Sequence, residues 1–157
     1  MSMKVLEAAL AMCRGEFNVI GGGEPTIHPQ FERILCRVIA QSEEVWIVTN
    51  GKIPERAFLI AKLIAKGAIS GRLSLDDWHE PIEPAVIQAF GMNINTVTEP
   101  SLAGRCTWGD EARCYCDDFV VKPNGDVFQC GCDDAPFLGN VLTGLELGES
   151  GCHRAIL

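Results

Sequence analysis

Six of the chain's eight cysteines lie in its last third: Cys106, Cys114, Cys116, Cys130, Cys132 and Cys152. In a reducing compartment such crowding points to metal or cluster ligation ahead of disulfides. Between Cys106 and Asp134 seven acids face only Arg113 and Lys122, a local net charge of −5 before any thiol ionises. A bound cation would relieve that repulsion. The pairs Cys114/Cys116 and Cys130/Cys132 bracket residues 119–129, which read as a hairpin. Its closure would bring four thiolates together, enough for one tetrahedral zinc or one iron-sulfur cluster, with Cys106 and Cys152 in reserve. The competing reading makes these cysteines small buried packing residues. His153 is read as part of a frayed terminus rather than as a ligand.

A second group of chemistry-bearing residues recurs where apolar runs end. Gly21-Gly22-Gly23-Glu24-Pro25 follows one such run, Asn50-Gly51 a second, and Ser74 to Asp76 closes a third. Consecutive glycines allow close approach of a ligand to the backbone. One glutamate beside them can pair with an ammonium group while its oxygens accept hydrogen bonds. Asn50, Ser74 and Asp76 suit ribose hydroxyls and a carboxylate. The alternative for the glycine run is a tight turn with a solvated glutamate. His79 falls on the same rim and is a candidate acid or base; His28, just before Pro29, is read as a turn or capping residue.

These groups share a rim only if the elements between them form a parallel sheet. Residues 17–20, 45–49, 72–76 and 92–97 read as strands. Residues 3–14, a segment opened by Pro29, a segment opened by Pro54 and residues 84–90 read as helices. In the second helix Phe31, Ile34, Leu35 and Val38 recur at one-face spacing; in the third, Leu59, Ile60, Leu63 and Ile64 are expected to face inward. Cys13, Cys36, Phe31 and Trp46 are expected in the core. Strand followed by helix, repeated, is the α/β pattern of a partial (βα) barrel or an open parallel sheet, with ligands at the carboxyl ends of the strands. Beyond residue 98 the periodicity gives way to Gly, Cys and acid. The expected organisation is therefore a βα domain over 1–100 and a small Cys-rich extension over 101–157. Pro123-Asn124-Gly125-Asp126 marks the hairpin turn in that extension.

With these residues in place the chain resembles the radical S-adenosylmethionine (SAM) superfamily. VIGGGEPTIHPQFERIL, residues 19–35, looks like that family's second strand, its GGE motif and the following helix. The resemblance implies that Gly22, Gly23 and Glu24 hold the methionyl amino group of SAM, with Asn50, Ser74 and Asp76 at later strand ends. Cys114, Gly125 and Cys130, with Leu138-Gly139-Asn140-Val141 beyond them, look like the opening of a SPASM or twitch extension. There the resemblance implies an auxiliary iron-sulfur cluster on Cys114, Cys116, Cys130 and Cys132. Active members carry CxxxCxxC after their first strand, and no such spacing occurs in these 157 residues. Without that cluster the chain is not expected to cleave SAM by itself. The contrasting expectation is a non-catalytic zinc-binding or interaction module on the same scaffold. A first strand lacking a neighbour would also expose an apolar edge, so a homodimer through that edge is expected.

Composition removes other classes. Thirteen basic against 21 acidic side chains leave a net charge of −8, which gives no electrostatic drive toward nucleic acid. Lys62 and Lys66 interrupt the longest apolar stretch, far short of the roughly 20 apolar residues of a membrane helix. Glu7 interrupts what would be a signal peptide's apolar core, so a cytoplasmic location is the expectation.

Overall fold

The computed structural model describes residues 1–12, 15–78, 80–98, 119–131 and 135–145, the side chains of Gly15 and Glu16 excepted. The chain divides into two compact units, one spanning Cys13–Pro100, the other combining Met1–Met12 with Ser101–Leu157.

The first unit is a four-stranded parallel sheet: β1 (Gly15–Ile20), β2 (Ser42–Thr49), β3 (Ser70–Leu75) and β4 (Ile94–Thr96), adjacent in chain order. The crossovers run through α1 (Phe31–Gln41), α2 (Pro54–Ala65) and α3 (Pro84–Phe90). Sequential order with crossovers of one hand puts every helix on one face of the sheet. Burial agrees. Val45, Ile47, Thr49, Gly71 and Leu73 point to the covered face, and Val45, Ile47, Thr49 and Leu73 are 0 to 2% exposed. Phe31, Leu35, Ile60 and Val86 supply the helical half of that core. The alternate residues Phe17, Val19, Val48 and Arg72 are exposed on the other face, with Trp46 half-buried among them. The register fixes this division, because Val19 lies beside Trp46 and Val48 beside Arg72.

All four expected positions of α1 are buried. In α2 the helix is rotated from the expected phase: Ala57, Ile60 and Ala61 are buried, and Leu59, Leu63 and Ile64 only partly so. Two alanines allow a close approach of that face to its neighbours, which hydrophobicity alone does not favour over a leucine stripe. Cys36 is exposed, not core, because it falls off the Phe31/Leu35/Val38 line. Trp46 likewise leaves the core for the open sheet face, where Arg72 stacks over its ring at 6.0 Å. Cys13 lies outside the described residues.

Pro29 does not open α1. Pro25 instead opens a short 3₁₀ turn, Pro25–Ile27, and α1 begins at Phe31. β2 starts earlier than the apolar run suggests, directly after α1. Ser42 closes the helix by donating its hydroxyl to the Val38 carbonyl at 2.7 Å, while accepting from the Asn18 amide at 3.0 Å.

In the second unit, the N-terminal helix α0 (Met3–Met12) buries Val5, Leu6, Ala9 and Leu10, and Ser2 accepts from the Val5 and Leu6 amides at its start. An antiparallel sheet of β5 (Val120–Val121), β6 (Asp126–Phe128), β7 (Phe137–Asn140) and β8 (Gly144–Leu145) lies in the same unit. The expected hairpin is β5–β6. Its positive φ belongs to Gly125 alone, at +96°, and not to Asn124. The Gly125 amide donates to the Lys122 carbonyl and the Lys122 amide to the Asp126 carbonyl, a three-residue loop rather than a two-residue one. β7 and β8 extend the hairpin to four strands.

Candidate functional site

The parallel sheet's carboxyl rim begins where β1 ends. Gly22 and Gly23 take φ of +88° and +114°, and among the described residues nothing lies within 4 Å of where a side chain would start on either. The backbone here turns sharply beside open space, at the position where parallel sheets receive ligands.

Glu24 follows and is the most heavily bonded side chain of the rim. Its Oε1 accepts from the Thr26 amide at 3.0 Å, the Thr26 hydroxyl at 2.5 Å and the Thr49 hydroxyl at 2.8 Å. Its Oε2 accepts from the Asn50 amide at 2.6 Å. The carboxylate thus caps the 3₁₀ turn and fastens it to the end of β2. Both threonines are completely buried. An ionised carboxylate offers about four acceptor positions. Four donors already reach Glu24, three of them crowded on Oε1, so what stays open is a single position on Oε2. Among the described residues no Lys, Arg or His pairs with this carboxylate, which is only partly exposed.

The loop carrying Glu24 is held from behind by Arg56 of α2. One guanidinium nitrogen donates to the carbonyls of Thr26 and His28, the latter at 2.9 Å. The other two reach Glu32 at 2.8 and 3.3 Å, and the whole group lies over the Phe31 ring. The Glu32 carboxyl sits below its ordinary range because its backbone amide donates to it; desolvation opposes this, and Arg56 adds a hydrogen bond and an opposite charge.

Of the other expected rim residues, Asn50 enters through its main chain. Its side-chain oxygen accepts from the Lys52 amide at 3.1 Å. Ser74 and Asp76 stand at the end of β3, partly buried, and Asp76 Oδ1 accepts from the Trp78 amide at 3.0 Å. Among the described residues neither bonds to Glu24. A shallow depression adjoins the rim, lined by Asn50, Lys52, Ile82, Glu80 and Glu83 but not by Glu24. Gly51 also lines it, and a Cβ there would come within 3.1 Å of Ile82 and Leu73. His79 lies outside the described residues.

Cys130 is the one expected metal ligand within them, and it is 1% exposed at the end of β6. Cys114, Cys116, Cys132, Cys106 and Cys152 lie outside, as does His153. His28 accepts from the Gln30 amide through Nδ1 at 3.1 Å, the turn role expected of it.

Three contributors escaped sequence reasoning: Thr26, Thr49 and Arg56. Thr26 carried a signal, since an acidic residue two positions before a threonine and beside a proline is a capping pattern. Arg56 carried none, because its partners are 24 to 30 residues away.

No family model, no curated protein and no solved structure matches this chain.

Proposed function

We propose that the rim formed by Gly22, Gly23, Glu24, Asn50, Ser74 and Asp76 is a binding site for SAM on a radical-SAM-like scaffold, and that the extension holds an iron-sulfur cluster or zinc. The observation that carries the first half is the Glu24 carboxylate. It is held by four donors, with one acceptor position left on Oε2 and no cation of the described residues beside it, and it adjoins two glycines that no described residue crowds. An anion so placed favours an ammonium group. The residues present therefore fit the aminoacyl end of SAM. When bound, SAM supplies a sulfonium-activated adenosyl group. The chain's own part is to hold the amino group at Glu24 and present backbone polar groups of Gly22 and Gly23. Asn50, Ser74 and Asp76 offer polar contacts to the ligand's ribose and carboxylate. These 157 residues contain no CxxxCxxC, so the function proposed for them is binding and not reductive cleavage. Equilibrium dialysis against SAM tests the reading: saturable binding supports it, and absence of binding removes it.

The metal half rests on cysteine density in the sequence; the burial of Cys130 is shared with the packing reading and does not add to it. A zinc-binding, non-catalytic module is its alternative. Iron and acid-labile sulfide determined after anaerobic purification decide between them, with iron and sulfide together favouring a cluster and one zinc per chain favouring the module. Among the described strands β1 pairs only with β2, and that open backbone edge, beside Phe17 and Val19 exposed on the sheet face, favours self-association in a homodimer. Light scattering across micromolar concentrations tests it, and a monomer throughout would count against it.

A further inference from the structure

We infer that Arg56 is the positioning residue of the Glu24 site: it sets the Glu24 carboxylate from the helix side of the sheet without touching that carboxylate. The chain of contacts runs in three steps. The guanidinium holds two carbonyls of the loop, those of Thr26 and His28. Thr26 presents both its amide and its hydroxyl to Glu24 Oε1. Glu24 Oε2 then receives the Asn50 amide, across the gap between β1 and β2. The Arg56 side chain makes no hydrogen bond to Glu24, Thr49 or Asn50; a second route to Asn50 runs through the start of α2, where the Arg56 and Ala57 amides donate to the Ile53 carbonyl, so the Ala57 amide serves to tell the two routes apart.

The guanidinium suits this task as an ammonium would not. Its planar fork serves two carbonyls from one nitrogen and a carboxylate from the others, while its face covers Phe31. A lysine ammonium has three donors, but all on one nitrogen, so it could not span the separate positions from which one guanidinium nitrogen reaches the carbonyls and the other two reach Glu32, nor lay a flat face over Phe31. The pairing with Glu32 holds the guanidinium from its outer side, where both side chains are partly solvated, at 21 and 50% exposure. The two carbonyls, not the ion pair, are therefore the contacts that reach the site. That SAM affinity depends on Arg56 rests on the function proposed above; that Arg56 sets Glu24 does not.

Hydrogen exchange of the full chain tests the inference, with Arg56→Met, Arg56→Lys and Glu32→Gln compared. In Arg56→Met the Thr26 and Asn50 amides should exchange about tenfold faster or more, while those of Ile47 and Leu73 in the core and of Ala57 at the start of α2 stay unchanged; acceleration of Ala57 alongside Asn50 would overturn the inference by placing the effect in the helix start. Arg56→Lys should fall between parent and Met, and Glu32→Gln close to parent. An unchanged Asn50 amide would overturn the inference, since Arg56 would then support only its own loop. So would a uniform acceleration that includes Ile47, which would mark general loss of structure. SAM dialysis on the same proteins separates the two readings. If the parent binds no SAM the ligand assignment fails, and the exchange result still decides the role of Arg56. If the parent binds, weaker binding by Arg56→Met with the core amides unchanged extends the inference to the ligand.

Discussion

Replacing Thr49 by valine tests how the rim is held. Thr49 is fully buried at the end of β2. Its hydroxyl donates to Glu24 Oε1 at 2.8 Å and accepts from the buried Gly51 amide at 3.1 Å. Valine keeps the β-branched shape but removes both functions. Losing a hydrogen bond to a charged group costs about 1.5–3 kcal/mol, and stranding a buried amide about 1–3 kcal/mol. The two losses share one oxygen and are not additive, so we expect about 2–4 kcal/mol in total, a large part of the roughly 5–15 kcal/mol that stabilises an ordinary domain. Urea unfolding of the parent, Thr49→Val and Thr49→Ser measures it. The midpoint should fall in the valine variant with little change in slope, and serine should recover most of the loss. A valine variant within about 0.5 kcal/mol of the parent would show that the Thr49 hydroxyl does not fasten the loop to β2, leaving the Asn50 amide as its link.

Gly71→Ala should be among the most damaging substitutions in the parallel sheet, because a Cβ there would stand 2.2 Å from the Ile47 carbonyl oxygen; we expect a loss of about 2 kcal/mol or more, read by thermal unfolding. Gly67→Ala meets no neighbour but takes φ of +68°, so its cost should be confined to about 1–2 kcal/mol of backbone strain. Asn140→Ala should weaken the antiparallel sheet by about 1–2 kcal/mol, since its side chain donates to Asp126 Oδ1 and the Asn124 carbonyl and accepts from the Leu142 amide. Glu32 has a lowered pKa in the folded chain, so the unfolded chain binds its proton first as pH falls. Its contribution is present above the ordinary value of 4.5 and is lost as pH falls through the depressed folded value. Glu32→Gln should accordingly flatten the acid limb of a stability-against-pH curve, and an unaltered limb would show that Glu32 is not responsible.

The elements that declare themselves through periodicity were legible in the sequence. The four strands and the α1 stripe fall where apolar spacing puts them, and the ends of β1, β2 and β3 carry Glu24, Asn50 and Asp76 as expected. What escaped follows from tertiary context. The rotated face of α2 depends on the close packing that Ala57 and Ala61 allow, and hydrophobicity scales undervalue alanine. Residue type points to the Asn50 side chain, but it is the main-chain N–H that bonds to Glu24, a distinction that no residue type reveals. Thr49 looked like the end of an apolar run, although its hydroxyl is the link to Glu24. β7 and β8 are too short for alternation to show, at four and two residues. The partner of Arg56 could not be read because salt-bridge and carbonyl contacts between successive crossovers have no sequence spacing of their own.

The ammonium-binding role of Glu24 is tested most directly by calorimetric titration of the parent and Glu24→Gln with SAM and with 5′-methylthioadenosine, which lacks the amino-acid arm. Glutamine must turn its NH2 group toward donors that the carboxylate accepts from, so both ligands should lose some affinity, and we expect SAM to lose at least about tenfold more than methylthioadenosine. Equal weakening of both ligands, or of neither, would contradict the assignment of Glu24 to the amino group.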